Sequence, residues 1–103
     1  MELKFEKDFN SNLIVRVSGK LDIDTSATFG MKVKDTIDDY GDVNALILDL
    51  EYVTYVASIG LRVLLELYQH LDKQGATIKL INVQPQVMEV LKMTGFDKFL
   101  KVS

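Results

Sequence analysis

Ser58 and His70 are the two residues whose types first suggest catalytic chemistry. A serine hydrolase needs a base beside its nucleophile, and the usual nucleophile elbow has glycine two residues before and after the serine. Here Val56 occupies the first of those positions. His70 follows twelve residues later on the same predicted helix, about 18 Å away at about 1.5 Å per residue, and on its polar face. The spacing therefore excludes a triad and predicts a surface histidine.

Three aspartates suggest metal or phosphate chemistry. Asp22 and Asp24 form a pair that could hold a cation, but no third ligand is evident, and roles in a turn and a helix cap account for both. Asp49 ends a strand, as the acceptor of a phospho-receiver does, but the strand before it ends in Ser18-Gly19 and supplies no carboxylate for magnesium. A structural hydrogen-bonding role is expected for Asp49. We predict no catalytic residue, metal or cofactor.

The composition narrows the classes further. The 103 residues include 15 acidic and 12 basic side chains, a net charge of −3, one histidine and no cysteine. Without cysteine there is no disulfide scaffold, thiol catalysis or cysteine-bound metal. Lone glycines exclude a phosphate-binding loop, and the absence of a basic run argues against nucleic acid as a partner. With no signal peptide and no long apolar run, we expect one cytoplasmic domain over residues 1–103, with no membrane insertion.

Hydrophobic patterning predicts four strands. Leu3–Glu6 and Leu13–Val17 alternate apolar and polar residues, and the polar stretch Asp8–Asn12 between them is typical of a hairpin turn. Ala45–Leu50 is a nearly continuous apolar run, which favours a central strand covered on both faces. Thr77–Asn82 is the fourth.

Three amphipathic segments predict helices. The first begins with Asp24 or Thr25 as its N-cap and ends at Gly41. The second runs from near Ser58, as its N-cap, to about Gln74, and the third has the only proline at its first position and stops at a glycine. The side chains expected to face the core are Phe29, Val33, Ile37 and Tyr40, then Leu61, Leu64, Leu65, Tyr68 and Leu71, then Val87, Val90, Leu91 and Thr94.

The element order is therefore β-β-α-β-α-β-α with a short tail, in which Phe96, Phe99 and Leu100 fold back over the core. Helices that alternate with strands indicate right-handed crossovers and parallel pairing. We predict an α/β fold: a single domain with an N-terminal β-hairpin, followed by alternating helices and strands in a mixed sheet covered by helices.

The residues around the start of the second helix have two features that a helix cap alone does not require. An N-cap serine accounts for Ser58, but Gly60 in the first turn costs about 1 kcal/mol against alanine. Glycine there allows close approach by another backbone. The apolar side chains around one hydroxyl predict a docking surface for a protein partner; they are Tyr52, Val53, Tyr55, Val56 and Ile59.

The sequence resembles the STAS domain of bacterial anti-sigma factor antagonists over essentially its whole length. Each motif is loose, but their joint order is specific. The segments that carry the resemblance are Gly19–Thr25, Leu46–Leu50, Ala57–Leu65, Ile78–Val83 and the helix from Pro85 to Gly95.

The resemblance implies a binding protein that captures an anti-sigma factor, often a serine kinase with a GHKL-type ATPase fold, and so frees a sigma factor. Phosphorylation of one serine, which matches Ser58, ends the capture, and a phosphatase restores it. Ala57 departs from the family, which usually has an acidic or hydroxyl residue before the acceptor. The partner-binding positions implied are Asp22, Asp24, Thr25, Tyr55, Val56, Ala57, Ser58, Ile59, Gly60 and Arg62.

Two other functions remain open at this point. The same fold could serve as an accessory STAS subunit of a transporter or of a large signalling assembly, without a phospho-switch. A small hydrolase or phosphotransferase with an undetected site is the third. Neighbouring genes for a kinase or for membrane transport subunits would separate the first two functions.

Overall fold

The computed structural model describes residues 1–103 as one mixed sheet with helices packed against it. The predicted order of seven elements is confirmed, and a short 3₁₀ turn at Phe96–Lys98 and a fifth strand follow them. The strands are β1 (Glu2–Lys7), β2 (Asn12–Leu21), β3 (Ala45–Val56), β4 (Thr77–Ile81) and β5 (Lys101–Val102), and the helices are α1 (Ser26–Tyr40), α2 (Ser58–Asp72) and α3 (Pro85–Thr94).

The five strands lie in sequence order across the sheet. β1 pairs antiparallel with β2 through the predicted hairpin, and every later pair is parallel. Parallel neighbours need a crossover, and each helix supplies one. The α/β fold with a mixed sheet is therefore confirmed.

The core lies on one face of the sheet. Leu13 on β2 pairs with Leu46 on β3, and both are fully buried. Ile14 and Ile47 form the next pair, point to the other face and are only half-buried. The expectation that β3 is covered on both faces is therefore wrong. Successive right-handed crossovers that step in one direction across a sheet place their helices on the same side.

α2 buries a wider arc of its surface than the sequence predicted. Leu61, Leu64 and Leu71 are buried as expected, whereas Leu65 and Tyr68 are only half-buried. Val63 and Leu67 are also buried, because α2 packs against α1 as well as against the sheet. A Cβ atom at Gly30 of α1 would lie 2.6 Å from a methyl carbon of Val63, so the glycine permits this close crossing.

The other two helices follow their predicted faces for most of their length. α1 buries Phe29, Val33 and Ile37, but Tyr40 at its last turn is exposed. α3 has Pro85 in its first turn and buries Val87 and Leu91, whereas Val90 is half-buried and Thr94 is exposed. None of the three helices combines the length and the hydropathy needed to cross a bilayer.

The chain after α3 returns to the core as predicted. The ring of Phe99 packs against Phe96 and Tyr68 at centroid distances of 5.1 and 5.0 Å, and Leu100 is buried. These contacts bring the next residues beside β4, where they form β5.

Asp8 organises the hairpin turn. Its carboxylate accepts hydrogen bonds from the Asn10 and Asn12 backbone N–H groups at 2.8 and 3.0 Å, and from the Asn12 side chain at 3.1 Å. The bond from the Asn12 backbone is the largest cause that holds the pKa of Asp8 below its ordinary value. Ionised Asp8 therefore stabilises the turn that pairs β1 with β2.

Replacement of Asp8 should lower stability in a pH-dependent way. We expect Asp8→Ala to melt at a lower temperature than the wild type at pH 7. A carboxylate whose pKa is depressed in the folded state contributes fully above its unfolded pKa and loses that contribution as pH falls through the folded value. The difference should therefore narrow as the pH falls below about 3.8. Thermal melts from pH 7 to pH 2.5, with Asp42→Ala as an exposed control, measure it; a gap that stays constant contradicts the assignment.

Candidate functional site

The candidate site lies where the carboxyl ends of β2 and β3 meet the start of α2. β3 continues to Val56, six residues beyond its predicted end, and Leu21 at the end of β2 pairs with Val56. The Ala57 N–H group then donates a hydrogen bond to the Leu21 carbonyl at 2.8 Å. This bond ties the residue before α2 to the end of the neighbouring strand.

Ser58 is the first residue of α2 and is exposed to solvent. The N-cap is Ala57, in an extended conformation, and no side chain caps the helix. The prediction that Ser58 is itself the N-cap is therefore wrong. The bond from Ala57 to Leu21 keeps Ala57 extended, so the helix starts one residue later. The hydroxyl thus lies beside backbone N–H groups that have no partner within the helix.

Gly60 lets α2 approach β2 closely. A Cβ atom at this position would lie 2.9 Å from the Leu21 carbonyl oxygen and 3.0 Å from a methyl carbon of Val56. The sequence predicted a close backbone approach at this glycine, and the structure identifies that backbone as Leu21 of the same chain. Gly60 therefore positions Ser58.

The turn from β2 into α1 is held by its own side chains. Asp22 Oδ1 accepts hydrogen bonds from the Asp24 and Thr25 N–H groups at 3.0 and 3.2 Å. Thr25 is the N-cap of α1, as predicted, but its hydroxyl accepts from the Asp22 N–H group and donates to the Lys20 carbonyl. Asp22 thus acts as the predicted turn residue. The turn stands directly beside Leu21, against which α2 rests.

The predicted partner-binding residues divide by their exposure. Tyr55, with 51% of its surface exposed, is accessible to a partner. Val56 is 4% exposed and Gly60 is buried, so both lie beneath the accessible side chains and support them. Also exposed are Asp24, Ser58 and Arg62, whereas Asp22, Thr25, Ala57 and Ile59 are half-buried.

The predicted ring of apolar side chains around Ser58 needs a correction. Val53 is fully buried because it belongs to β3 and points into the core, as does Val56. Ile23, which no sequence pattern assigned to this surface, is 82% exposed in the turn beside Leu21. An isoleucine between two aspartates in a predicted turn was the available signal. We call Ile23, Tyr55, Ser58, Ile59 and Arg62 the Ser58 surface.

The remaining candidates for chemistry have structural partners. Asp49 Oδ1 accepts hydrogen bonds from the Glu51 N–H group at 3.1 Å and from the Asn82 side chain at 3.2 Å, so its predicted hydrogen-bonding role is confirmed. His70 is less exposed than predicted, with 22% of its side chain accessible, and its Nε2 lies 2.8 Å from Asp38 Oδ1 on α1. His70 therefore links two helices at the end of α2 opposite Ser58.

Comparison with known proteins agrees with this architecture. Residues 2–103 match the family described as the STAS domain. A curated relative from Paenibacillus polymyxa, the anti-sigma F factor antagonist, is 30% identical over 103 residues, which cover 99% of this chain and 87% of the relative.

Solved structures share the fold. An anti-sigma factor antagonist from Mycobacterium paratuberculosis superposes with a TM-score of 0.83 at 26% identity, over 98% of this chain and 83% of that one. SpoIIAA of Bacillus in its phosphorylated form superposes with a TM-score of 0.73 at 20% identity, over 99% of this chain and 91% of that one. A sulfate transporter family protein from Wolinella succinogenes superposes with a TM-score of 0.77 at 19% identity, over 94% of this chain and 79% of that one.

Addition of a methyl group at Gly60 tests the contact that positions Ser58. Alanine in a helix is ordinarily stabilising, but here we expect Gly60→Ala to lower the free energy of unfolding by roughly 1–3 kcal/mol, because the new Cβ overlaps the Leu21 carbonyl. Urea unfolding measures the change, and Gln69→Ala, at an exposed position of the same helix, is the control. A stability gain at Gly60 would show that the approach is not tight.

Proposed function

The chain belongs to the STAS domain family, and on that basis we propose that it is an anti-sigma factor antagonist. In this role it binds an anti-sigma factor and thereby releases a sigma factor for transcription. The name of the Paenibacillus relative supports the class of partner. A binding protein of this kind needs a docking surface rather than catalytic groups, and the Ser58 surface provides one.

Phosphorylation of Ser58 is the proposed switch. The observation that carries it is the position of Ser58: exposed, first in α2, and on a helix start that no side chain caps. An anion at a helix N-terminus interacts favourably with free N–H groups and with the helix dipole. A phosphate there would stay compatible with the folded domain. The partner is then an anti-sigma factor that is also a serine kinase of the GHKL type, and a phosphatase reverses the modification.

The chemistry around Ser58 explains why a phosphate would end binding. Exposed Ile23, in the turn after Leu21, and half-buried Ile59, next to Ser58 in the chain, add apolar area to the Ser58 surface. A phosphate adds about −1.5 to −2 charges. A partner that covers this surface must remove water from those charges, and the free-energy cost of that step exceeds what a small apolar contact returns. The switch therefore acts on association and leaves the fold intact.

An accessory STAS subunit of a transporter or signalling assembly is the second candidate. The sulfate transporter family protein from Wolinella succinogenes, which shares the fold, favours it. In that role Ser58 would be an ordinary surface residue, and its charge would not control binding. The two candidates therefore differ in what a negative charge at position 58 does.

A capture experiment separates the two functions. Wild-type, Ser58→Glu and Gln69→Glu proteins serve as baits in an extract of the native host, and bound proteins are identified by mass spectrometry. We expect the wild type and Gln69→Glu to capture an anti-sigma factor kinase. Ser58→Glu should capture at least tenfold less of that kinase than the wild type does. Gln69→Glu adds the same charge at an exposed site further along α2. Transporter subunits that bind all three baits equally would contradict the proposal.

The fold of the Ser58→Glu protein tests the second half of the switch. Because a carboxylate at the first position of a helix is stabilised by the helix dipole, we expect an unchanged far-UV circular dichroism spectrum and a melting temperature no lower than that of the wild type. A clear loss of helix signal would mean that the charge acts by unfolding α2 rather than by blocking association.

A further inference from the structure

Arg62 follows Ser58 by four residues on α2, so the two residues are neighbours on one side of the helix, about one turn apart. Both are exposed. Side chains of a helix tilt toward its N-terminus, so that of Arg62 leans toward Ser58. The other position on that side, Leu61, is 8% exposed and packs into the core. Arg62, the only lysine or arginine of α2, is therefore the cation of this helix beside the Ser58 hydroxyl.

The guanidinium of Arg62 takes part in none of the three ion pairs of the molecule. Glu66 has the spacing to pair with it, four residues further along α2, yet the pair is not formed. An ion pair of this spacing is stronger when the acid precedes the base, because both charges then oppose the helix dipole. Arg62 precedes Glu66, which is the weaker order, whereas a phosphate on Ser58 would precede Arg62.

Two other cations lie near this end of the domain and are less well placed. Lys20 at the end of β2 is exposed, whereas the next residue, Leu21, points into the core. Because side chains alternate along a strand, Lys20 points to the face of the sheet away from α2. Lys34 lies about two turns beyond the start of α1. Asp24, in the turn before α1, is acidic and repels a phosphate.

We propose that Arg62 binds the phosphate of phosphorylated Ser58, so that the switch acts on two groups at once. A guanidinium can donate two parallel hydrogen bonds to phosphate oxygens. In the unmodified protein Arg62 is exposed and can pair with an acidic side chain of a partner. In the phosphorylated protein the chain's own phosphate holds the same guanidinium. The Ser58 surface then gains negative charge and loses its only free cation.

This inference rests on the proposed function, because Arg62 has the role only when Ser58 carries a phosphate. Its test needs neither a kinase nor an anti-sigma factor, since phosphoserine can be inserted at position 58 during translation. A negative result here would leave the capture experiment and its conclusion standing. A failed capture experiment would likewise leave the measurement on the phosphate unchanged, so the two failures are distinguishable.

A ³¹P NMR titration of the phosphoserine protein measures the second pKa of the phosphate, which is ordinarily about 6. A cation beside the phosphate stabilises the dianion and lowers this pKa. We expect the pKa to be higher in Arg62→Gln than in the otherwise wild-type protein, by about 0.3 or more. Arg62→Lys, which keeps the charge, should restore at least half of the difference.

Two charge-matched controls use other exposed positions. Lys73→Gln removes the same charge at the far end of α2, and Lys20→Gln removes it at the end of β2. Both should leave the pKa of the phosphate unchanged. The Nε–H resonance of Arg62 in ¹H–¹⁵N spectra gives a second readout, which a general effect of charge would not produce. We expect this resonance to move downfield when position 58 carries phosphoserine instead of serine.

Equal pKa values in the wild-type and Arg62→Gln phosphoproteins would overturn the proposal, as would an Arg62 Nε–H resonance that does not move. A pKa that rises in Lys20→Gln and not in Arg62→Gln would also overturn it, because Lys20 would then be the cation that binds the phosphate.

Discussion

The contact between the first turn of α2 and the end of β2 is the constraint on which the candidate site depends. Gly60 leaves room for the Leu21 carbonyl, and that carbonyl accepts a hydrogen bond from Ala57. Together they bring a helix start and the carboxyl end of a parallel strand to the same place. Ser58 is exposed at that place because the residue before it is held extended and the glycine two residues after it lies against the sheet.

The one-sided arrangement of the sheet has a second consequence. Because the crossovers step in one direction, α1 and α2 lie on the same side of the sheet and touch each other. Gly30 lets them approach, and their outer rows form a groove that leads away from Ser58. The exposed position of Ser58 and the groove between the helices thus follow from a single packing arrangement.

The chemistry of the molecule is that of a binding surface. The aspartates and the histidine that could have served catalysis are engaged in a turn, a strand end and a helix pair. The groups of the Ser58 surface are a hydroxyl, two isoleucines, a tyrosine and a guanidinium. Such a surface can bind a protein, and a phosphate on it would make it costly to cover.

Local pattern determined most of the fold and part of the site. Strand alternation, helix periodicity, Pro85 and Gly95 placed the elements, and the Asp22 turn and the position of Ser58 near a helix start followed, because these features depend on residues a few positions apart. Contacts between distant residues decided the rest. The Ala57–Leu21 bond placed Ser58 inside the helix rather than at its cap, and the packing of α1 on α2 buried Val63 and joined His70 to Asp38, 32 residues away. No local pattern encodes such pairings, since they exist only after the crossovers have placed the elements side by side.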